Sequence, residues 1–260
     1  MKRIHLFELE DFPWFPGWLR TCLTRLMVVM HRAIGSPQQL SKLLIRALAH
    51  SRQPRIVDLC SGSGGPMLEV LAHLQRQPGN SDLALVLTDL YPNIEVAEAV
   101  NRSTPPHLSY RTTPVDASQV GADLPGVRTM TGSFHHMRPA LARAILQNAR
   151  DSRQPICIYE MSDNSLPTAI WWISLPLIFV IAFFLTLFVR PLTWRQVVFT
   201  FLVPIIPLCF AWDGAVSNAR TYTLRDMDDL LAGLETEGYT WEKGRITGRG
   251  TKLYLLGLPT

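Results

Sequence analysis

The chain has 260 residues, long for one ordinary domain but well suited to a single α/β domain carrying one insertion. Apolar residues make up 47% and charged residues only 18%, which is enough for a core and more apolar material than a core requires. A formal net charge of +4 without a dense Lys/Arg patch does not argue for a nucleic-acid partner.

Cys22, Cys60, Cys157 and Cys209 form no C-x-x-C pair and have no histidines at zinc-ligand spacing, so they read as reduced thiols and no metal site is expected. Met1-Lys2-Arg3 is followed by Glu8, Glu10 and Asp11, with no apolar run, so a secretory signal is not expected.

The first 35 residues open with a proline-broken aromatic segment, Phe12-Pro13-Trp14-Phe15-Pro16-Gly17-Trp18. Leu19 to Ile34 then reads as a helix in which Arg20, Arg25 and Arg32 punctuate apolar residues. A basic amphipathic helix beside tryptophans suits either a membrane surface or a lid over an apolar pocket. Ser36 as N-cap and Pro37 at the first helical position open a second helix, with Leu40, Leu43, Leu44, Ala47 and Leu48 at helical spacing.

From Arg55 the texture changes. Apolar runs at 56–59 and 83–88 and the segments 109–111, 128–131 and 156–161 predict five strands, and the segments 66–77, 94–100 and 139–150 predict helices between them. Strands apolar on both faces that alternate with helices mean a parallel sheet covered on both sides. A capped helix over 224–236 and two closing strands, 240–246 and 252–258, complete the pattern as an antiparallel pair.

Between them the alternation is interrupted. Residues 168–189 carry no charge, with Trp171 and Trp172 near one end and Arg190-Pro191 after the other; residues 197–212 form a second apolar run containing Pro204 and Pro207. About 20 apolar residues are enough to span a bilayer. Because the final helix and strands must rejoin the same sheet, an odd number of crossings is excluded, and a hairpin would carry Arg190 and Arg195 to the far side. The preferred expectation is an insertion that dips into one leaflet together with the N-terminal helix. A soluble apolar lid and a homodimer interface stay open as alternatives.

The segment Val57-Asp58-Leu59-Cys60-Ser61-Gly62-Ser63-Gly64-Gly65-Pro66 ends the first strand and opens the first helix of the sheet. Glycines there allow close backbone approach to a ligand at the carboxyl edge of an open sheet. A dinucleotide fingerprint needs a third glycine where Met67 stands. The segment resembles motif I of class I S-adenosylmethionine-dependent methyltransferases: an acidic residue, Asp58, followed by Gly62 and Gly64, with Cys60 where a first glycine is common.

The resemblance extends over residues 55–160 and 223–258. It implies an α/β fold: a Rossmann-like, mostly parallel sheet with a C-terminal antiparallel strand pair, here with an N-terminal helical cap and a hydrophobic helical insertion. The implied divisions are 1–53 for the cap, 54–162 for the cofactor-binding core, 163–222 for the insertion and 223–260 for the closing helix and strands. The resemblance also implies S-adenosylmethionine as cofactor, with Asp89 on the ribose hydroxyls and Asp116 near the adenine amino group. Asp58, Cys60, Ser61, Gly62, Gly64, Leu90, Ala117 and Ser133 complete the implied cofactor set.

Thr131-Gly132-Ser133-Phe134-His135-His136 follows the fourth strand, where the family faces its acceptor. His135 and His136 are therefore the expected catalytic bases, since imidazole titrates near neutrality and can take a proton from a hydroxyl or carboxyl. Glu160, Asp163, Arg220 and Tyr222 are the expected acceptor-binding residues, and Trp212 and Asp213 are further pocket candidates. The family's nucleic-acid members carry an Asp/Asn-Pro-Pro-aromatic box at the position of Thr131 to Phe134, so nucleic acid is not expected as acceptor.

The expected activity is methyl transfer, with O-methylation favoured, to a hydrophobic small molecule: a lipid, isoprenoid, quinone precursor, fatty acid or polyketide. The expected place is the cytosolic face of a membrane, or else the cytoplasm, with a homodimer open. Two rival readings are a membrane-associated assembly protein with a degenerate methyltransferase domain and a nicotinamide-dependent oxidoreductase.

Overall fold

A computed structural model describes residues 3–102 and 107–260. A strap with a short 3-10 turn at Leu9–Asp11 leads into α1 (Gly17–Ala33) and α2 (Ser36–Leu48). The alternating core follows: β1 (Arg55–Asp58), α3 (Met67–Gln75), β2 (Ala84–Leu87), α4 (Ile94–Arg102), β3 (Leu108–Tyr110), β4 (Val127–Thr131), α5 (Pro139–Asp151) and β5 (Ile156–Glu160). The insertion holds α6 (Thr168–Ile173), α7 (Leu175–Thr186), α8 (Trp194–Val197), a π-helical turn at Val198–Leu202 and α9 (Ile205–Arg220). The chain closes with α10 (Leu224–Leu231), β6 (Tyr239–Ile246) and β7 (Lys252–Pro259).

The seven strands form one sheet in the order β3-β2-β1-β4-β5-β7-β6. The first five pair in parallel, and β7 lies antiparallel between β5 and β6. Successive side chains of a strand point to opposite faces. Ile56 and Cys157 accordingly enter the core under α2 and α3, while Val57 and Ile158 enter the one under α5 and α10. Burying each such aliphatic side chain contributes about 1.5–3 kcal/mol. The strand order changes direction at β1 and β4, so the carboxyl ends of these two neighbours form the ligand crevice expected of an open α/β sheet.

Three boundaries differ from expectation. Gly35, in the left-handed conformation, caps α2, so Ser36 is already helical. The helix predicted to reach residue 236 stops at Leu231, two residues before the left-handed Gly233, although Thr223 and Asp226 form the anticipated capping box. The uncharged run 168–189 is not one helix: it breaks at Ser174, and α7 has 12 residues. At 1.5 Å per residue that is about 18 Å, short of the ~30 Å hydrocarbon core.

Among the described residues no single helix is long and apolar enough to cross a membrane. The Trp194–Leu202 and Ile205–Arg220 segments are long and apolar enough only when taken together, and they are bent by 81° to one another. The insertion packs instead on the cap. Leu19, Leu23 and Leu26 of α1 meet Ala182 of α7 and Ile206 and Phe210 of α9 in a third apolar cluster. Only one side of α7 is used: Leu177, Val180, Ile181, Phe184 and Leu187 recur at helical spacing and stay exposed. A helix apolar all round is normally buried all round, so this face is unusual.

Candidate functional site

The glycine loop folds as its sequence requires. Cys60 takes φ 58°, a left-handed conformation that glycine adopts most readily, and Gly62 follows at φ 53°. A cysteine tolerates this at a strain of order 1 kcal/mol or somewhat more. The amide of Ser61 donates to Thr88 O at 2.9 Å and that of Gly64 to Ser61 O at 2.7 Å. The loop is bonded to the end of β2 as well, because the Gly62 amide donates to Asp89 Oδ2 at 2.8 Å. The hydroxyl of Tyr110, on β3, donates to Gly62 O at 2.7 Å; this buried tyrosine escaped the sequence reading because strand periodicity marks it only as core.

Asp58 is buried at the end of β1. Ser61 Oγ donates to its Oδ2 at 2.6 Å, while Oδ1 is buried without a hydrogen-bond partner. Burial pushes this carboxyl up to about 7, against the Ser61 bond that favours the charged form. Asp89 accepts from the amides of Gly62 and Tyr91 and is part-exposed beside the exposed Leu90. Asp116 accepts from the amide and hydroxyl of Ser118, at 2.8 and 2.7 Å, which is the arrangement of a turn cap. Its neighbour Ala117 packs into the core under α5. Burial pushes the Cys60 thiol up, and the charges of Asp89, Asp58 and Asp116 act in the same direction. Two of the three expected carboxylates, Asp58 and Asp89, are therefore bonded to this loop.

Across the crevice, Ser133 follows β4 and its Oγ is buried without a partner. Gly132 before it takes φ 62°, and a Cβ placed there would lie 3.8 Å from Nε2 of His31. His31, in the last turn of α1, is buried with Nδ1 unpartnered, and burial pulls its imidazole down to about 4. His31 was not anticipated. Its one sequence signal is a histidine that follows the apolar stretch Leu26 to Met30 near the end of the helix.

Between α1 and the glycine loop lies a cleft of about 320 Å³, with Arg25 and Val29, Ser63 and Gly65, and Phe188 and Arg190 among its walls. That volume is at the lower end for small-molecule pockets. A hollow of about 440 Å³ between α10 and β6 shares no residue with it and lies at the β6 edge of the sheet.

The expected acceptor-side residues gather in a second place. His135 Nδ1 sits 2.9 Å from Glu160 Oε2, and the His135 amide donates to Glu160 Oε1 at 3.0 Å. His136 Nδ1 sits 3.0 Å from Asp11 Oδ1. Although burial alone would lower it, the carboxylates of Glu160 and Glu8 raise His135 to about 10. Burial likewise disfavours ionised Glu8, but His136, His135 and Arg220 hold it down at about 2.

Arg220 is buried, pairing with Glu8 at 3.2 Å and Asp11 at 2.6 Å. Tyr222 is buried as well: its hydroxyl donates to Met137 O at 2.7 Å and accepts from Arg3 at 3.0 Å. Both tie the N-terminal strap to the loop after β4, and Arg220 Nε is buried without a hydrogen-bond partner. Asp163 is drawn aside into an ion pair with Arg245 at 2.7 Å. Asp213 is turned toward the strap, where Oδ1 accepts the Leu9 amide at 2.7 Å, and the Trp212 indole donates to Phe7 O at 3.2 Å. Glu8 and Asp11, which organise this place, were read only as early charges.

No family model and no curated protein matches the chain. Solved structures do. The plantazolicin methyltransferase BpumL in complex with SAH aligns over 97% of this chain and 99% of its own, at 10% identity and a TM-score of 0.53. The plantazolicin methyltransferase BamL in complex with a triazolic desmethylPZN analog and SAH aligns over 97% and 99%, at 9% identity and the same TM-score of 0.53. LepI in complex with SAM aligns over 84% of this chain at 15% identity and a TM-score of 0.47; the chain spans 46% of LepI. The first two likenesses establish the fold: a Rossmann-like mixed sheet shared with these methyltransferases.

Proposed function

We propose that the chain transfers a methyl group from S-adenosylmethionine to a hydrophobic small molecule. The observation that carries this is the glycine loop bonded to Asp89, with left-handed Cys60 in the place of the family's glycine. The residues suit the cofactor: Asp58 Oδ1 and Ser133 Oγ are buried polar atoms without hydrogen-bond partners, one at the end of β1 and one just after the adjacent β4, and an amino group and a carboxylate would satisfy them. When bound, S-adenosylmethionine supplies an electrophilic methyl group and a thioether leaving group.

The protein's own part is positioning and exclusion of water. Asp89 retains acceptor capacity beyond its two amide bonds, which suits ribose hydroxyls. His31, held neutral beside Gly132, accepts a hydrogen bond from an acceptor hydroxyl. Glu160 favours the imidazolium formed if the proton follows. O-methylation is the reaction this arrangement suits. The exposed apolar face of α7, with Arg190 and Arg195 beyond its end and acidic residues absent from 168 to 212, suits a lipid surface at which an apolar acceptor is collected.

Calorimetric titration with S-adenosylmethionine and S-adenosylhomocysteine tests the reading. Micromolar binding that is lost in Asp89→Ala supports it. No heat from either ligand, with folded protein, moves the assignment to a membrane-associated assembly protein with a degenerate cofactor site.

A further inference from the structure

The second cluster has the atomic arrangement of a metal centre. His135 Nε2 lies 3.5 Å from Glu8 Oε1, and His136 Nε2 lies 3.6 Å from Glu8 Oε2. Within the set one ligand atom from each residue lies within 4.8 Å of the others. Nitrogen and oxygen atoms bound ~2.1 Å from a tetrahedral ion stand about 3.4 Å apart. The observed separations are therefore long for hydrogen bonds and right for co-ligands. His135 Nε2 is buried without a hydrogen-bond partner, an expensive state for an imidazole nitrogen, and Glu8 Oε1, which faces it, makes no hydrogen bond and has the Arg220 ion pair at 3.2 Å as its other contact.

The atoms behind the imidazoles point the same way. Each ring turns Nδ1 toward a carboxylate, His135 to Glu160 at 2.9 Å and His136 to Asp11 at 3.0 Å. A carboxylate on the far nitrogen fixes the tautomer that leaves Nε2 free to ligate. Such backing is found at metal-binding histidines generally. Charge agrees too. Metal binding displaces the His135 proton, and once both imidazoles are neutral Glu8, Asp11 and Glu160 outnumber the guanidiniums of Arg220 and Arg3 that reach the same place.

We infer that Glu8, His135 and His136 form a binding site for one divalent transition-metal ion, with Glu160 and Asp11 orienting the two imidazoles. Two imidazoles and one carboxylate suit a borderline cation such as Zn²⁺ or Co²⁺ and leave at least one coordination position for water or another oxygen ligand. His136 is the partly exposed member, so the ion enters from its side. The ligands come from the strap and from the turn after β4, 127 residues apart, so a search for short ligand spacings passes over them. Metal binding here is independent of whether the glycine loop binds S-adenosylmethionine.

The test uses the full-length protein, stripped with a chelator and titrated with Co²⁺, whose visible d–d bands report an imidazole-containing site, and with Zn²⁺ by calorimetry. One equivalent of either metal is expected, with the Co²⁺ bands abolished in His136→Gln. Glu160→Gln keeps a hydrogen-bond acceptor and is expected to weaken Zn²⁺ binding about 10–100-fold. His31→Gln, outside the cluster, is expected to bind both metals as wild type does. His136 is the less buried histidine ligand, so its variant is the one that folds most readily; S-adenosylhomocysteine titration of the same variant separates metal loss from cofactor loss. Absence of Co²⁺ bands and of Zn²⁺ heat in folded wild-type protein, or bands unchanged in His136→Gln, overturns the inference and leaves an ion-pair cluster.

Discussion

A guanidinium nitrogen of Arg220, in the last turn of α9, stands 3.2 Å from Oε1 of Glu8, and both side chains are buried. The pair joins the insertion to the N-terminal strap. Removing one partner of a buried pair strands the other charge, at about 3–5 kcal/mol. Arg220→Met is expected to lower unfolding stability by that amount in urea titrations. Combining it with Glu8→Gln is expected to be less damaging than the sum of the single changes, because they share the interaction.

Cys60 holds φ 58°, a conformation that disfavours side chains. Cys60→Gly relieves that strain and gives up the partial packing of the thiol against the core. The two effects oppose each other, so thermal melts are expected to show a net change within about 1 kcal/mol. Binding of S-adenosylhomocysteine is expected to survive. A collapse of either stability or binding in this variant shows that the thiol has a specific part.

Two buried groups give opposite pH signatures. Asp58 is raised to about 7, so between about 4 and 7 the folded state holds a proton that the unfolded chain has released. Stability contributed at Asp58 therefore falls as pH rises through that window, by at most about 1.4 kcal/mol per unit. His31 is lowered to about 4, so between about 4 and 6.5 the unfolded chain is the one holding the extra proton. Its contribution is lost as pH falls. Denaturation profiles from pH 4 to 7 are expected to show wild type losing stability relative to Asp58→Asn with rising pH, and gaining relative to His31→Gln.

The exposed stripe on α7 is expected to govern lipid binding. Wild-type protein is expected to sediment with anionic phospholipid vesicles, and Phe184→Glu with Leu177→Glu to abolish this while leaving the melting temperature nearly unchanged, since both residues are mostly exposed. Loss of self-association instead of loss of vesicle binding would assign the face to a homodimer.

The sheet was legible because its signals are local. Apolar runs, the glycines after Asp58 and the acids at 89 and 116 each declare themselves within a few residues, and all five parallel strands lie where the periodicity puts them, within two residues. The capping box at Thr223 was legible for the same reason. Cys60 reads in sequence as a departure from the glycine pattern, yet the backbone takes a conformation that glycine adopts most readily; composition signals the demand for φ > 0 without deciding whether a cysteine meets it.

The amino-acid sequence by itself determined the alternating core, the glycine loop and the apolar excess of the insertion, because hydrophobic period and backbone freedom are properties of short segments. Only the tertiary structure decided which charges meet. Residues 8, 11, 135, 136, 160 and 220 become neighbours through docking of the strap and α9 on the sheet edge, and burial then ties their protonation to one another. It also decided that His31 faces Gly132 and that one side of α7 stays uncovered. Long-range contacts and desolvation set these relationships, and neither leaves a mark in local sequence pattern.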